Sequence, residues 1–172
     1  MSTLILILGL GFSLGLRHAT DADHVVAIST IVTKEKSAGS SSLIGVLWGI
    51  GHSIMVTLVG ILVIFFSLRI SENLEKILES GVGIMLIVLG LLNILDLRTH
   101  LKGVRLNINP LFIGTIHGLA GSGAVTLLIL STIKNSTEQI FYLFIFNLGV
   151  IVGMMLITTL LGKSFTYAKN KI

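Results

Sequence analysis

The sequence has no cysteine, one proline and only 12% charged residues among its 172. Without thiols it forms no disulfide, no thiolate zinc site and no dithiol redox couple. Any metal it binds is held by nitrogen and oxygen, with the thioethers of Met55, Met85, Met154 and Met155 as weak ligands. The formal net charge is +4, but the 12 Lys and Arg are scattered over the breaks between apolar runs, which argues against a nucleic-acid surface. A nucleotide-binding Gly-x4-Gly-Lys-Ser/Thr loop and a His-Glu-x-x-His motif are both missing. The five glutamates (Glu35, Glu72, Glu75, Glu79 and Glu138) lie in or near polar breaks, leaving no obvious intramembrane base.

What fills the chain is hydrocarbon: 53% hydrophobic residues and a mean hydropathy of +0.99. A soluble core of this size does not need such runs, so the expected fold is all-α, a polytopic membrane helix bundle. About five transmembrane helices are expected, near Leu4 to Val32, Leu43 to Leu68, Ile77 to Leu95, Leu111 to Ile133, and Ile140 to Leu161. A cleaved signal peptide is a poor alternative for the first run, which has no basic region and leads into a polar motif rather than a cleavage site. With five spans, eight Lys and Arg (Lys34, Lys36, Arg98, Lys102, Arg105, Lys163, Lys169 and Lys171) fall on one side and three (Arg69, Lys76 and Lys134) on the other. The positive-inside rule then places the C-terminus in the cytoplasm.

The first run is too long to cross as one straight helix, about 43 Å against a ~30 Å hydrocarbon core. It either tilts past a water-filled cleft or breaks at its middle. Its middle is Arg17-His18-Ala19-Thr20-Asp21-Ala22-Asp23-His24, and ionisable groups at membrane depth mark a functional site. On a continuous helix His18, Asp21 and His24 share one face within about 120°, while Asp23 points away. Asp23 joins them only if the helix loosens near Ala22; otherwise it orients an imidazole. Arg17 stands four residues before Asp21, a spacing suited to an ion pair. His52, in Gly51-His52-Ser53, is placed to reach this site from the second span, and His117 heads a glycine-rich counterpart, His117-Gly118-Leu119-Ala120-Gly121-Ser122-Gly123-Ala124. The candidate metal ligands are His18, Asp21, Asp23, His24, His52 and His117. A polar network that only fixes helix packing is the bland alternative, and Asn147 is open between an interhelical hydrogen bond and a pore-lining role.

The two halves of the chain echo one another. Gly15-Leu16-Arg17-His18 is matched by Gly114-Thr115-Ile116-His117, and Trp48-Gly49-Ile50-Gly51 by Phe146-Asn147-Leu148-Gly149. A three-span unit repeated once arrives inverted in the membrane, with the substrate site between the copies. The expected organisation is a single transmembrane domain over 1–172, with halves near 1–96 and 110–172 and the last helix of a 3+3 plan missing.

Residues 17–24 resemble the His-Ala-x-Asp-Ala-Asp-His signature of the nickel/cobalt transporter family, and Gly51-His52-Ser53 resembles that family's second histidine motif. The resemblance is closest to the short urease-accessory UreH-type members, for which six spans are expected. It implies Ni2+ or Co2+ as a transported ion rather than a cofactor, a multi-pass protein of the bacterial cytoplasmic membrane, and His18, Asp23, His24 and His52 as motif residues. Through Asp23 it also favours the broken form of the first span. The lead expectation is a secondary permease for Ni2+ and/or Co2+, with urease a candidate recipient of the metal. The alternatives are a non-transporting metal-binding subunit or sensor, acting in a homo-oligomer or with a partner membrane subunit, and an intramembrane metalloenzyme.

Overall fold

The structure is a computed structural model, described for residues 2–33, 35, 37–66, 71–94, 109–119, 130, 132–169 and 171. Six helices are described: α1 Ser2–His18, α2 Ala22–Val32, α3 Ala38–Phe66, α4 Glu72–Ile94, α5 Pro110–Leu119 and α6 Ser136–Lys169. Three of them, α3, α4 and α6, are long and apolar enough to cross a membrane. They correspond to the expected second, third and fifth spans.

The expected first span is two helices. α1 ends on His18, whose carbonyl accepts the Asp21 N–H at 3.0 Å, while the Arg17 carbonyl accepts the Thr20 N–H at 2.8 Å and the Thr20 hydroxyl at 2.5 Å. These tight turns satisfy the backbone where the helical ladder stops, which a lipid-embedded break requires. Asp21 is extended (φ −60°, ψ 144°), and its carbonyl accepts the Val25 N–H at 3.1 Å to start α2. The aspartate side chain makes no cap bond to that helix. Of the expected fourth span, α5 is its beginning, and residues 120–129 lie outside the described residues, as does the loop carrying Asp96, Arg98 and His100.

Close approaches through glycine fix the packing. A Cβ on Gly15 would collide with the Phe146 carbonyl oxygen and press on the Val150 amide; one on Gly114 would collide with the Trp48 carbonyl oxygen and press on the His52 amide. Likewise Gly149 sits against the Phe12 carbonyl oxygen and Leu16 N, and Gly51 against the Leu111 carbonyl oxygen and Thr115 N. These contacts correspond atom for atom when each echo residue is exchanged for its counterpart, Gly15 for Gly114 and Gly51 for Gly149. Small residues let membrane helices meet backbone to backbone in this way.

The same contacts give the helix directions. Gly11 and Gly15 of α1, and Ala19 just beyond its end, climb past Tyr142, Phe146 and Gly153 of α6, so α1 and α6 run parallel. Gly114 and Gly118 climb past Trp48 and Met55, so α3 and α5 run parallel too. α3 and α6 are antiparallel, with Gly45 against Met154 and Thr158, Gly49 against Ile151, and Gly60 against Leu143. α5 is therefore inverted relative to α1, and each packs on the long helix of the opposite half. The interior holds Trp48, Phe146, Ile28, Val32, Val150 and Met154, all buried. α4 stands at the periphery, buries only Val82 and Leu89, and presents Ile84 and Ile87 outward.

Candidate metal centre

The break after α1 and the end of α5 bring four histidines together against the middle of α3. His18 closes α1, Asp23 and His24 open α2, His52 projects from α3, and His117 lies in the last turn of α5. His24, His52 and His117 are 0% exposed and His18 7%. The side chains of Asp21 and Asp23 remain 47% and 36% exposed.

His18 is held at both nitrogens. Its Nδ1 is 2.8 Å from Asp21 Oδ2, and its Nε2 is 3.2 Å from His52 Nε2. A proton on Nδ1, shared with the carboxylate, leaves Nε2 as a lone pair aimed at His52, the orientation by which a carboxylate fixes a metal-binding imidazole. Asp23 Oδ2 lies 3.3 Å from His117 Nε2 and 3.8 Å from His24 Nε2. The His24 ring centroid is 4.5 Å from that of His18, 5.1 Å from that of His52 and 5.2 Å from that of His117, which makes it the hub.

Two groups of three have ligand atoms mutually within 4.8 Å: His18, His24 and His52, all buried, and Asp23, His24 and His117. Both ring nitrogens of His24, both of His117, and Nδ1 of His52 have no hydrogen-bond partner. A buried polar group left without a partner costs about 1–3 kcal/mol. Such a set, all nitrogen and carboxylate oxygen, suits a borderline divalent ion such as Ni2+, Co2+ or Zn2+. Trp48 stacks on His52 at 5.2 Å with rings 10° apart and meets His24 edge-on at 4.8 Å, while Phe146 lies 5.5 Å from His18. An aromatic wall thus closes one side of the cluster.

Of the sequence candidates, His18, Asp23, His24, His52 and His117 fall within these two groups, and Asp21 stands outside them as the partner of His18. The two aspartates exchange the parts that a continuous helix assigns them, because the turn at 19–21 rotates α2 relative to α1. Asp21 faces His18 rather than pairing with Arg17. Asn147 is an interhelical hydrogen-bonder, its Nδ2 donating to Thr57 Oγ1 at 2.8 Å. The role of Trp48 was not drawn from the sequence, although its position four residues before His52 puts the two on one helical face.

Residues 4–104 match the NicO family, described as high-affinity nickel-transport protein. The chain belongs to this family. NicO proteins are nickel transporters, not enzymes, so the metalloenzyme alternative falls. With its apolar helices, this NicO chain is a membrane protein. It is similar to the urease accessory protein UreH of Bacillus sp. (strain TB-90), 42% identical over 187 residues that cover 98% of this chain and 82% of UreH. It is 32% identical over 104 residues to the high-affinity nickel transport protein of Cupriavidus necator, covering 56% of this chain but 30% of that protein. Against the nickel transporter NixA of Staphylococcus aureus it is 26% identical over 206 residues, 94% of this chain and 61% of the relative. The chain thus spans most of UreH but less than a third of the Cupriavidus protein. No solved structure matches it.

Proposed function

We propose that the chain is a secondary permease that carries Ni2+ through the histidine cluster, with Co2+ as a competing substrate and urease maturation as the use to which imported nickel is put. His18, His24, His52, His117 and Asp23 supply ligands, and Asp21 orients His18. The observation that carries this reading is the convergence of four buried imidazoles from α1, α2, α3 and α5, with five ring nitrogens left without a hydrogen-bond partner in an apolar bundle. Nitrogen-rich, thiolate-free ligation suits Ni2+ and Co2+ alike. The matched glycine contacts support an inverted repeat with halves near 1–96 and 110–172 and the site between them, the plan of many secondary transporters. The bacterial cytoplasmic membrane is the proposed location, and the charge distribution supports a cytoplasmic C-terminus.

The test is 63Ni2+ uptake by proteoliposomes holding the purified chain, beside His18→Ala and Asp23→Ala at equal reconstitution. Saturable uptake lost in both variants is the expected result. Stoichiometric binding without uptake would instead favour the non-transporting subunit or sensor.

A further inference from the structure

The five candidate ligands do not form one group within 4.8 Å. The ligand atoms separate into two sets that meet only at His24: a first set of three buried imidazoles, His18, His24 and His52, and a second set in which the part-exposed Asp23 joins the buried His24 and His117. Each set has three donors within 4.8 Å of one another, the span that a single divalent ion bridges after small side-chain movements. Their chemistry differs. The second set has a carboxylate, 36% exposed, which attracts a hydrated cation, whereas the first is imidazole alone; Trp48 borders both, its ring 5.2 Å from His52 and 5.3 Å from His117.

The helix directions bring His18 and His117 to the cluster on oppositely directed helices. His117 stands on α5 where His18 stands on α1, and α5 runs opposite to α1, so the two histidines approach the middle of the bundle from opposite membrane faces. The counterpart of His52 in the second half is Val150, an apolar residue, so that half cannot build a three-histidine set of its own. It borrows Asp23 and His24 instead. His24 has both ring nitrogens free of hydrogen bonds, so whichever carries the lone pair is open to an ion.

We propose that these are two successive stations for one ion: a loading station of Asp23, His24 and His117, and an occluded station of His18, His24 and His52, with His24 staying bound as the ion moves between them. This rests on the permease reading and adds to it the route the ion takes. An ion leaving the first station exchanges Asp23 and His117 for His18 and His52 without ever being free of protein ligands. His117 therefore sets the rate of entry, and His52 the strength with which the ion is kept.

The test uses the full chain in lipid nanodiscs with Ni2+ alone, at less than one equivalent. Ni K-edge X-ray absorption counts bound imidazoles, equilibrium dialysis with 63Ni2+ gives affinity, and proteoliposome uptake gives the entry rate. His117→Gln, with His117→Asn as a second variant should the first misfold, is expected to keep the wild-type count of three imidazoles and its affinity within about threefold. Its uptake is expected to fall by about tenfold or more, the scale on which supporting metal contacts act. His52→Gln is expected to lose one imidazole, gain carboxylate oxygen and bind at least tenfold more weakly, on the same scale. If His117→Gln instead removes one imidazole and weakens binding as much as His52→Gln does, the cluster is a single four-histidine site and the relay is wrong. If wild-type protein binds no Ni2+, the permease reading itself fails, and the relay with it.

Discussion

His18 Nε2 and His52 Nε2 face each other at 3.2 Å across the gap between α1 and α3. Two imidazole lone pairs at that distance repel unless a proton or a metal ion lies between them. The Asp21 carboxylate, 2.8 Å from His18 Nδ1, commits the proton to the far side of the ring. The pair is thus set to receive a cation.

Replacing Asp21 by Asn removes the charge that orients His18 while leaving every proposed ligand in place. Ni2+ affinity is expected to fall by about 10–100-fold, as for other groups that position metal-bound histidines. Equilibrium dialysis of wild type, Asp21→Asn and Asp21→Glu checks this, and the glutamate is expected to recover part of the loss. Equal affinity in all three would show that Asp21 does not act through His18.

Gly15→Ala and Gly114→Ala each drive a methyl group into a carbonyl oxygen of the facing helix. Backbone cannot step aside as a side-chain tip can, so each is expected to lower stability by about 1–3 kcal/mol. Gly81→Ala and Gly90→Ala on α4 meet nothing within 4 Å and are expected to be neutral or mildly stabilising. Thermal unfolding in detergent, followed by size-exclusion chromatography, separates the two pairs.

Asn147→Leu removes the bond to Thr57 that ties α6 to α3. Interhelical hydrogen bonds in membranes are worth about 0.6 kcal/mol on average, so a modest loss of stability with uptake retained is expected. Uptake abolished in a folded Asn147→Leu protein would place Asn147 on the ion's path.

Trp48→Leu opens the wall beside His52 while keeping an apolar side chain. The occluded ion then exchanges faster with bulk Ni2+, and release of preloaded 63Ni2+ is expected to accelerate several-fold. An unchanged release rate would show that the indole only fills space.

The membrane-bundle character of the chain was legible because hydrocarbon thickness sets the length of α3, α4 and α6. The octet at 17–24 and His52 were legible as a site because ionisable groups at that depth need a reason to be there. What the sequence left undecided was the break. Arg17 to His24 contains no proline or glycine to stop a helix, and the hints of an interruption are the run's excess length and, through Asp23, the family resemblance. That one turn decides which aspartate joins the ligands. The echo between the halves looked weak among so many Gly, Leu and Ile residues; its meaning lies in which glycine faces which, and pairwise facing is invisible in a single chain.

The reciprocal glycine contacts also bear on assembly at the ribosome. α1 is made first, yet its closest partner is α6, whose Gly149 seats Gly15 and Leu16 only after more than a hundred further residues have been synthesised. Until then the polar octet follows a helix whose packing partner is unmade. Insertion and folding are thus separate events for this protein, and a nascent chain released before α6 emerges lacks the surface on which its first helix packs.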